Sequence, residues 1–193
     1  MAGGFTEEER EQVRRKLLDS GYELFLSSGF RRMTVAGITK RAGVAVGTFY
    51  NFYESKEQFV IALIKDTEAG FVAKMQNTLL SNGTITLQKF MKIYREFYYP
   101  ENNFLLNATL DDWVWLKSHI KDCEYLNKEN DLNKLQYLLP RIKGIRADVD
   151  PGVIVNSIKM IYALYQNRDT LFEDSIPANV DLVFDSLYRY MKG

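Results

Sequence analysis

The sequence holds one cysteine, one histidine and no long apolar run. With Cys123 alone there is no internal disulfide, and a reducing cytoplasm fits that usage. No stretch reaches about 18 consecutive apolar residues, so a membrane-spanning helix is not expected. The opening "MAGGFTEEER" has no apolar h-region, which argues against a secretory signal. There is no glycine-rich phosphate loop and no G-x-S-x-G. The lone His119 lies four residues before Cys123, and on a helix the two would share a face. Two ligands are too few for zinc, so neither a metal nor a cofactor is expected, and catalysis is not expected either. β-alternation, internal repeats and low-complexity tracts are missing as well.

Charge of one sign is not in excess. Lys and Arg number 25, Asp and Glu 25, and the formal net charge is zero. That argues against a protein that coats nucleic acid. The distribution is uneven, however. Between Arg31 and Lys56 the bases are Arg31, Arg32, Lys40, Arg41 and Lys56, against Glu54 as the one acid. A basic island in a neutral chain suits a localised anionic partner.

What is present is helical periodicity from end to end, and the fold class is all-α with about nine helices. The first helix opens on Thr6 with Glu9 three residues later, a capping box, and Gly29 is placed to end it. Thr34 is an N-cap for a short second helix to about Arg41, "AGVAVG" is a tight turn, and a third runs from about Val46 to Phe52. Ser55 starts a fourth that continues to about Leu80, and "SNGT" breaks the chain. Helices follow in "TLQKFMKIYREFYY", in "NNFLLNATLDDWVWLKSHI" and in "KDCEYLNKENDLNKLQYLLPRI". Asp150 followed by Pro151 starts the eighth, and the last begins near Pro177.

Two short helices joined by a glycine-containing turn describe a helix-turn-helix. Gly43 supplies left-handed freedom, and the small Ala42, Ala45 and Gly47 permit close approach. Phe49 and Val44 can pack against Ile38 and the first helix, whereas Tyr50 and Asn51 fall on another face. Threonine and tyrosine hydroxyls can donate to phosphate oxygens, and Lys56 adds a cation. Taken singly these residues are ordinary packing or solvated surface. Their placement beside the turn is what points to DNA.

"TVAGITKRAGVAVGTFYNFYESKEQFVIAL" closely resembles the DNA-binding signature of TetR-type transcriptional regulators. Thr34, Ile38, Ala42-Gly43-Val44, Gly47-Thr48, Tyr50, Phe52 and Ser55-Lys56 all fall in register, over roughly the first third of the chain. The resemblance implies a DNA-binding domain over 7–67 and a ligand-binding and dimerisation bundle over 68–193. It implies that Val46, Gly47, Asn51 and Phe52 line the groove side of the recognition helix, and that Thr34, Thr48, Tyr50 and Lys56 anchor the DNA backbone. Val46 can meet a thymine methyl and Asn51 can bond adenine. Two positions depart from the pattern. Ala45 lacks a capping hydroxyl, which costs about 1 kcal/mol. Gly37 weakens the second helix by about 1 kcal/mol relative to alanine.

Relatives of this kind are cytoplasmic homodimers that bind a palindromic operator in double-stranded DNA, with repression the commoner mode. Here the last two helices, about 151–167 and 177–191, carry broad apolar stripes for pairing, or else for their own core. A small aromatic or hydrophobic effector would release the operator by favouring an arrangement with wrongly spaced reading heads, carried by the fourth helix. Phe71, Met75, Trp113, Trp115 and Tyr162 are candidates for its pocket. Aromatics at this spacing are also ordinary core, with Asp111 and Asp112 a solvated pair. A helical carrier with a vestigial helix-turn-helix is a further alternative.

Overall fold

The computed structural model describes residues 5–120 and 128–193. These fall into two compact units, one within Met1–Asp66 and Asp111–Lys121, the other within Thr67–Leu110 and Asp122–Gly193. The expected division at 67/68 runs along the chain only; in the structure the segment from Asp111 belongs with the amino-terminal unit. The chain is all-α, with nine α-helices among the described residues.

In the first unit α1 spans Glu7–Arg32, α2 Val35–Ala42, α3 Val46–Tyr50, and α4, Lys56–Asn82, contributes its opening turns. The α1 start is locked as the sequence indicates: Thr6 Oγ1 accepts from the Glu9 N–H, and the Glu9 carboxylate accepts from the Thr6 N–H at 2.8 Å. Gly29 takes φ 72°, breaking the helix where expected, and one further turn runs on to Arg32. Thr34 caps α2 by accepting from the Gly37 N–H at 3.0 Å. Gly43 ends α2 in the left-handed conformation at φ 68°. Leu17, Leu18, Phe25, Ile38, Phe49, Phe59 and Leu63 form the core of this unit. Gly21 permits it, because a Cβ there would lie 2.6 Å from the Phe59 ring. Helix α6, Leu110–His119, adds Trp115 and Leu116 to this unit.

The second unit holds the remainder of α4, α5 (Leu87–Phe97), α7 (Lys128–Leu138), α8 (Pro151–Gln166) and α9 (Ile176–Met191). Phe90, Ile154, Ile161, Val180 and Phe184 are its fully buried centre. Asp150 caps α8, accepting from the Gly152 N–H at 2.7 Å, with Pro151 in the first turn. The single helix read over "NNFLLNATLDDWVWLKSHI" is instead a 3-10 turn at Phe104–Asn107 followed by α6. Arg168 caps that turn, donating to the carbonyls of Leu106 and Asn107. Two two-residue strands, β1 (Ile85–Thr86) and β2 (Ile142–Lys143), pair in parallel. Two residues are too few for any alternation to show in sequence.

Candidate DNA-binding interface

Helix α3 is five residues long, and its N-cap, Ala45, makes no side-chain capping bond. So short a helix is not stable alone and is held by what it packs on. Phe49 is that anchor. It is fully buried, against Phe59 and Tyr53 with ring centres 5.4 and 5.5 Å away. Burying this one side of α3 turns the opposite side outward. Val46 is 48% and Tyr50 54% exposed, and Asn51 and Gly47 are exposed with them. A Cβ built on Gly47 would meet no atom within 4 Å, so this stretch of backbone is open to close approach.

Four of the expected groove and backbone contacts, Val46, Gly47, Tyr50 and Asn51, thus share an outward surface. Thr34 is exposed at the α2 start, and its hydroxyl proton stays available while its oxygen caps. Thr48 is half-buried. Phe52 and Lys56 sit differently. Phe52 is half-buried beneath the Arg10 guanidinium, 4.8 Å from the ring centre. The Lys56 ammonium lies 4.5 Å from the centre of the Trp115 ring and donates to the Arg31 carbonyl at 3.4 Å. Burial depresses the Lys56 pKa. Arg31, Arg32, Lys40 and Arg41 are exposed around the site, with Arg41 paired to Glu23.

The five effector candidates divide between the units. Trp113 and Trp115 lie in the first. Trp115 stacks with Phe30 and with His119, ring centres 5.8 and 4.6 Å away. Asp112 is not solvated: it is buried, and its Oδ1 accepts from the Phe30 N–H at 2.7 Å. Phe71, Met75 and Tyr162 belong to the second unit. There Phe71 packs on Phe97 and Tyr94, Met75 is buried, and the Tyr162 hydroxyl accepts from Asn103 Nδ2 at 3.0 Å. Burial pushes the phenols of Tyr94, Tyr98 and Tyr162 well above their ordinary range. A hollow of about 100 Å³ lies between α4 and α5, lined by Thr67, Gly70, Phe71, Lys74 and Phe97 among others, and not by these tyrosines.

Sequence reasoning missed Arg10, Asp112 and Asn103. Arg10 and its partner Asn51 are 41 positions apart, and Asp112 and Phe30 are 82 apart, so no local pattern could join them. The His119–Cys123 pairing cannot be followed, since Cys123 lies outside the described residues. His119 Nδ1 is within 2.8 Å of Ser118 Oγ and 3.0 Å of the Trp115 carbonyl.

A short outward-facing helix, set on a glycine turn after a capped helix, is a helix-turn-helix. Residues 17–63 match the model described as "Bacterial regulatory proteins, tetR family". The chain is similar to the fatty acid metabolism regulator protein of Bacillus subtilis, 28% identical over 42% of this chain and 42% of the relative. It is also similar to the HTH-type transcriptional repressor NemR of Escherichia coli, 26% identical over 58% of this chain and 55% of the relative. The chain spans about half the length of these curated relatives. In fold it resembles the fatty acid degradation regulator FadR from Bacillus halodurans. That likeness covers 91% of this chain and 94% of the other, at 18% identity and a TM-score of 0.63.

Proposed function

We propose that this protein is a cytoplasmic, sequence-specific DNA-binding repressor that acts as a homodimer and leaves its operator when a small apolar or aromatic effector binds. The observation that carries this reading is the outward face of α3. Val46, Gly47, Tyr50 and Asn51 are exposed together while Phe49 is fully buried behind them. The Tyr50 ring packs edge-on against Phe49, but the Val46 side chain, the Asn51 amide and the open backbone at Gly47 lie exposed on the same side. They match what a major groove and its flanking phosphates offer.

The homodimer is favoured by α8 and α9. Their inner residues Ile154, Ile158, Ile161, Val180, Phe184 and Leu187 serve the chain's own core, while Val153, Met160 and Leu182 are left exposed. A second copy would cover them, and two recognition helices about 34 Å apart would then enter successive grooves. The effector reading rests on the aromatic interior of the second unit, where Asn103 and the buried tyrosine hydroxyls supply a few polar groups in apolar surroundings. Two regulators that the chain resembles have fatty acid metabolism or degradation in their names, which favours an effector with an apolar tail. Effector binding would act by population shift, and a differential affinity of a few kcal/mol is enough to empty an operator.

The test is a mobility-shift titration on DNA upstream of the protein's own gene, with excess competitor duplex and varied salt. A specific reader keeps its complex in competitor and shows a preferred fragment. A protein that is lost to competitor equally from all fragments is a carrier or a non-specific binder, and this reading then fails.

A further inference from the structure

Anchoring by Phe49 alone leaves the ends of α3 to be fixed by something else. At its start there is no side-chain cap and no acid in the first turn. At its end stands Arg10. One Nη2–H of Arg10 donates to the Asn51 carbonyl at 3.3 Å, and the guanidinium plane covers the Phe52 ring. One side chain therefore grips two successive residues where the helix stops. A cation there also complements the exposed carbonyls of a helix C-terminus. Arg10 is itself well held: its own N–H donates to the Thr6 carbonyl at 2.8 Å, in the turn that the Thr6–Glu9 capping box closes.

We propose that Arg10 is a positioning residue for operator recognition. By holding the Asn51 carbonyl and the Phe52 ring, it sets the angle at which α3 presents the Asn51 amide and the Tyr50 hydroxyl. The guanidinium suits this, because its flat face can lie on the ring while an Nη2–H at its edge reaches the carbonyl; an ammonium has no such plane, and on lysine's shorter fork-less stem it does not reproduce that geometry. This inference rests on the DNA-binding reading above.

The experiment uses the full chain and the duplex that the wild-type protein selects from a random-sequence pool, with a scrambled duplex as control. Dissociation constants are measured across a salt series for wild type, Arg10→Ala and Arg10→Lys. A positioning role predicts a loss of about tenfold or more on the selected duplex, a smaller loss on the scrambled one, and an unchanged salt slope. Arg10→Lys should be nearly as poor as Arg10→Ala, with melting temperatures close to wild type. If Arg10 instead contacts phosphate, both duplexes weaken in parallel, the slope falls by about 0.9 and lysine rescues; that result overturns the proposal. So does an Arg10→Ala protein with wild-type affinity and selectivity. A wild-type protein that enriches no sequence from the pool removes the DNA-binding reading itself, a separate outcome read before any variant is made.

Discussion

The Lys56 ammonium rests 4.5 Å above the ring of Trp115, at the start of α4, with the Arg31 carbonyl as its second partner. The same amine is the cation that the family resemblance assigns to a DNA phosphate. It cannot occupy both positions, so an amine that bound a phosphate would first have to leave the indole. A cation–π seat of this kind is worth about 0.5–2 kcal/mol. Trp115→Leu should therefore raise DNA affinity and steepen its salt dependence by about one phosphate contact. The melting temperature should fall, because Trp115 also packs on Phe30. In a Lys56→Ala background the gain in affinity should vanish. Equal effects of Trp115→Leu with and without Lys56 would show that the indole does not restrain the amine.

Gly47 separates stability from recognition. Its missing Cβ points into open space, so alanine adds nothing that collides within the chain. Helix propensity then favours Gly47→Ala by up to about 1 kcal/mol. On DNA the new methyl stands on the face that must approach the duplex, and the expected loss is about tenfold, or about 1.4 kcal/mol. A melting curve and a binding titration on the same sample check this. A variant that is less stable, or that binds as well as wild type, contradicts the assigned face.

Asp112 completes the end of α1. Its Oδ1 accepts the buried Phe30 N–H next to Gly29, whose φ of 72° turns the chain. Asp112→Ala strands that N–H and should cost about 1–3 kcal/mol in denaturant unfolding. Asp112→Asn retains an acceptor oxygen and should cost less. Equal losses would mean that the carboxylate charge, not the hydrogen bond, is what matters.

The second unit should be sensitive to alkali. Burial holds Tyr94, Tyr98 and Tyr162 protonated far above 10.0, and Tyr99 is pushed up to about 12 by burial and its bond to Asp181. In the unfolded chain these phenols ionise near pH 10. Above that the folded state binds more protons than the unfolded one, so stability present at lower pH is lost as pH rises. The slope is about 1.4 kcal/mol per pH unit for each of the buried Tyr94, Tyr98 and Tyr162, and less for the more exposed Tyr99. Unfolding midpoints should be flat from about pH 8 to 9 and fall above about 10. Tyr162→Phe should fall less steeply; an identical slope would remove Tyr162 from the account.

Local signals were legible where the chain's own neighbours decide the outcome. Thr6, Thr34 and Asp150 cap as their spacing indicates, Gly43 takes the left-handed turn, and Phe49 is core while Tyr50 is outside. The caps and the turn depend on residues within one helical turn, and Phe49 and Tyr50 are told apart by helical phase. The stripes on α8 and α9 were legible only as apolar, and the structure divides them into inner residues such as Ile161 and outer ones such as Leu182. Long-range placements were not legible. Nothing near Lys56 announces Trp115, nothing near Arg10 announces Asn51, and the grouping of Asp112 with the amino-terminal unit depends on the Phe30 N–H left by the turn at Gly29.

Footprinting on the selected duplex, with the protein-to-DNA ratio measured in the same complex, tests the central claim most directly. The account predicts two chains per duplex and two protected half-sites related by a two-fold axis. Their centres should be one helical turn apart, about 34 Å, or a multiple of it. One chain on one unpaired half-site, or even protection without a repeat, would contradict it.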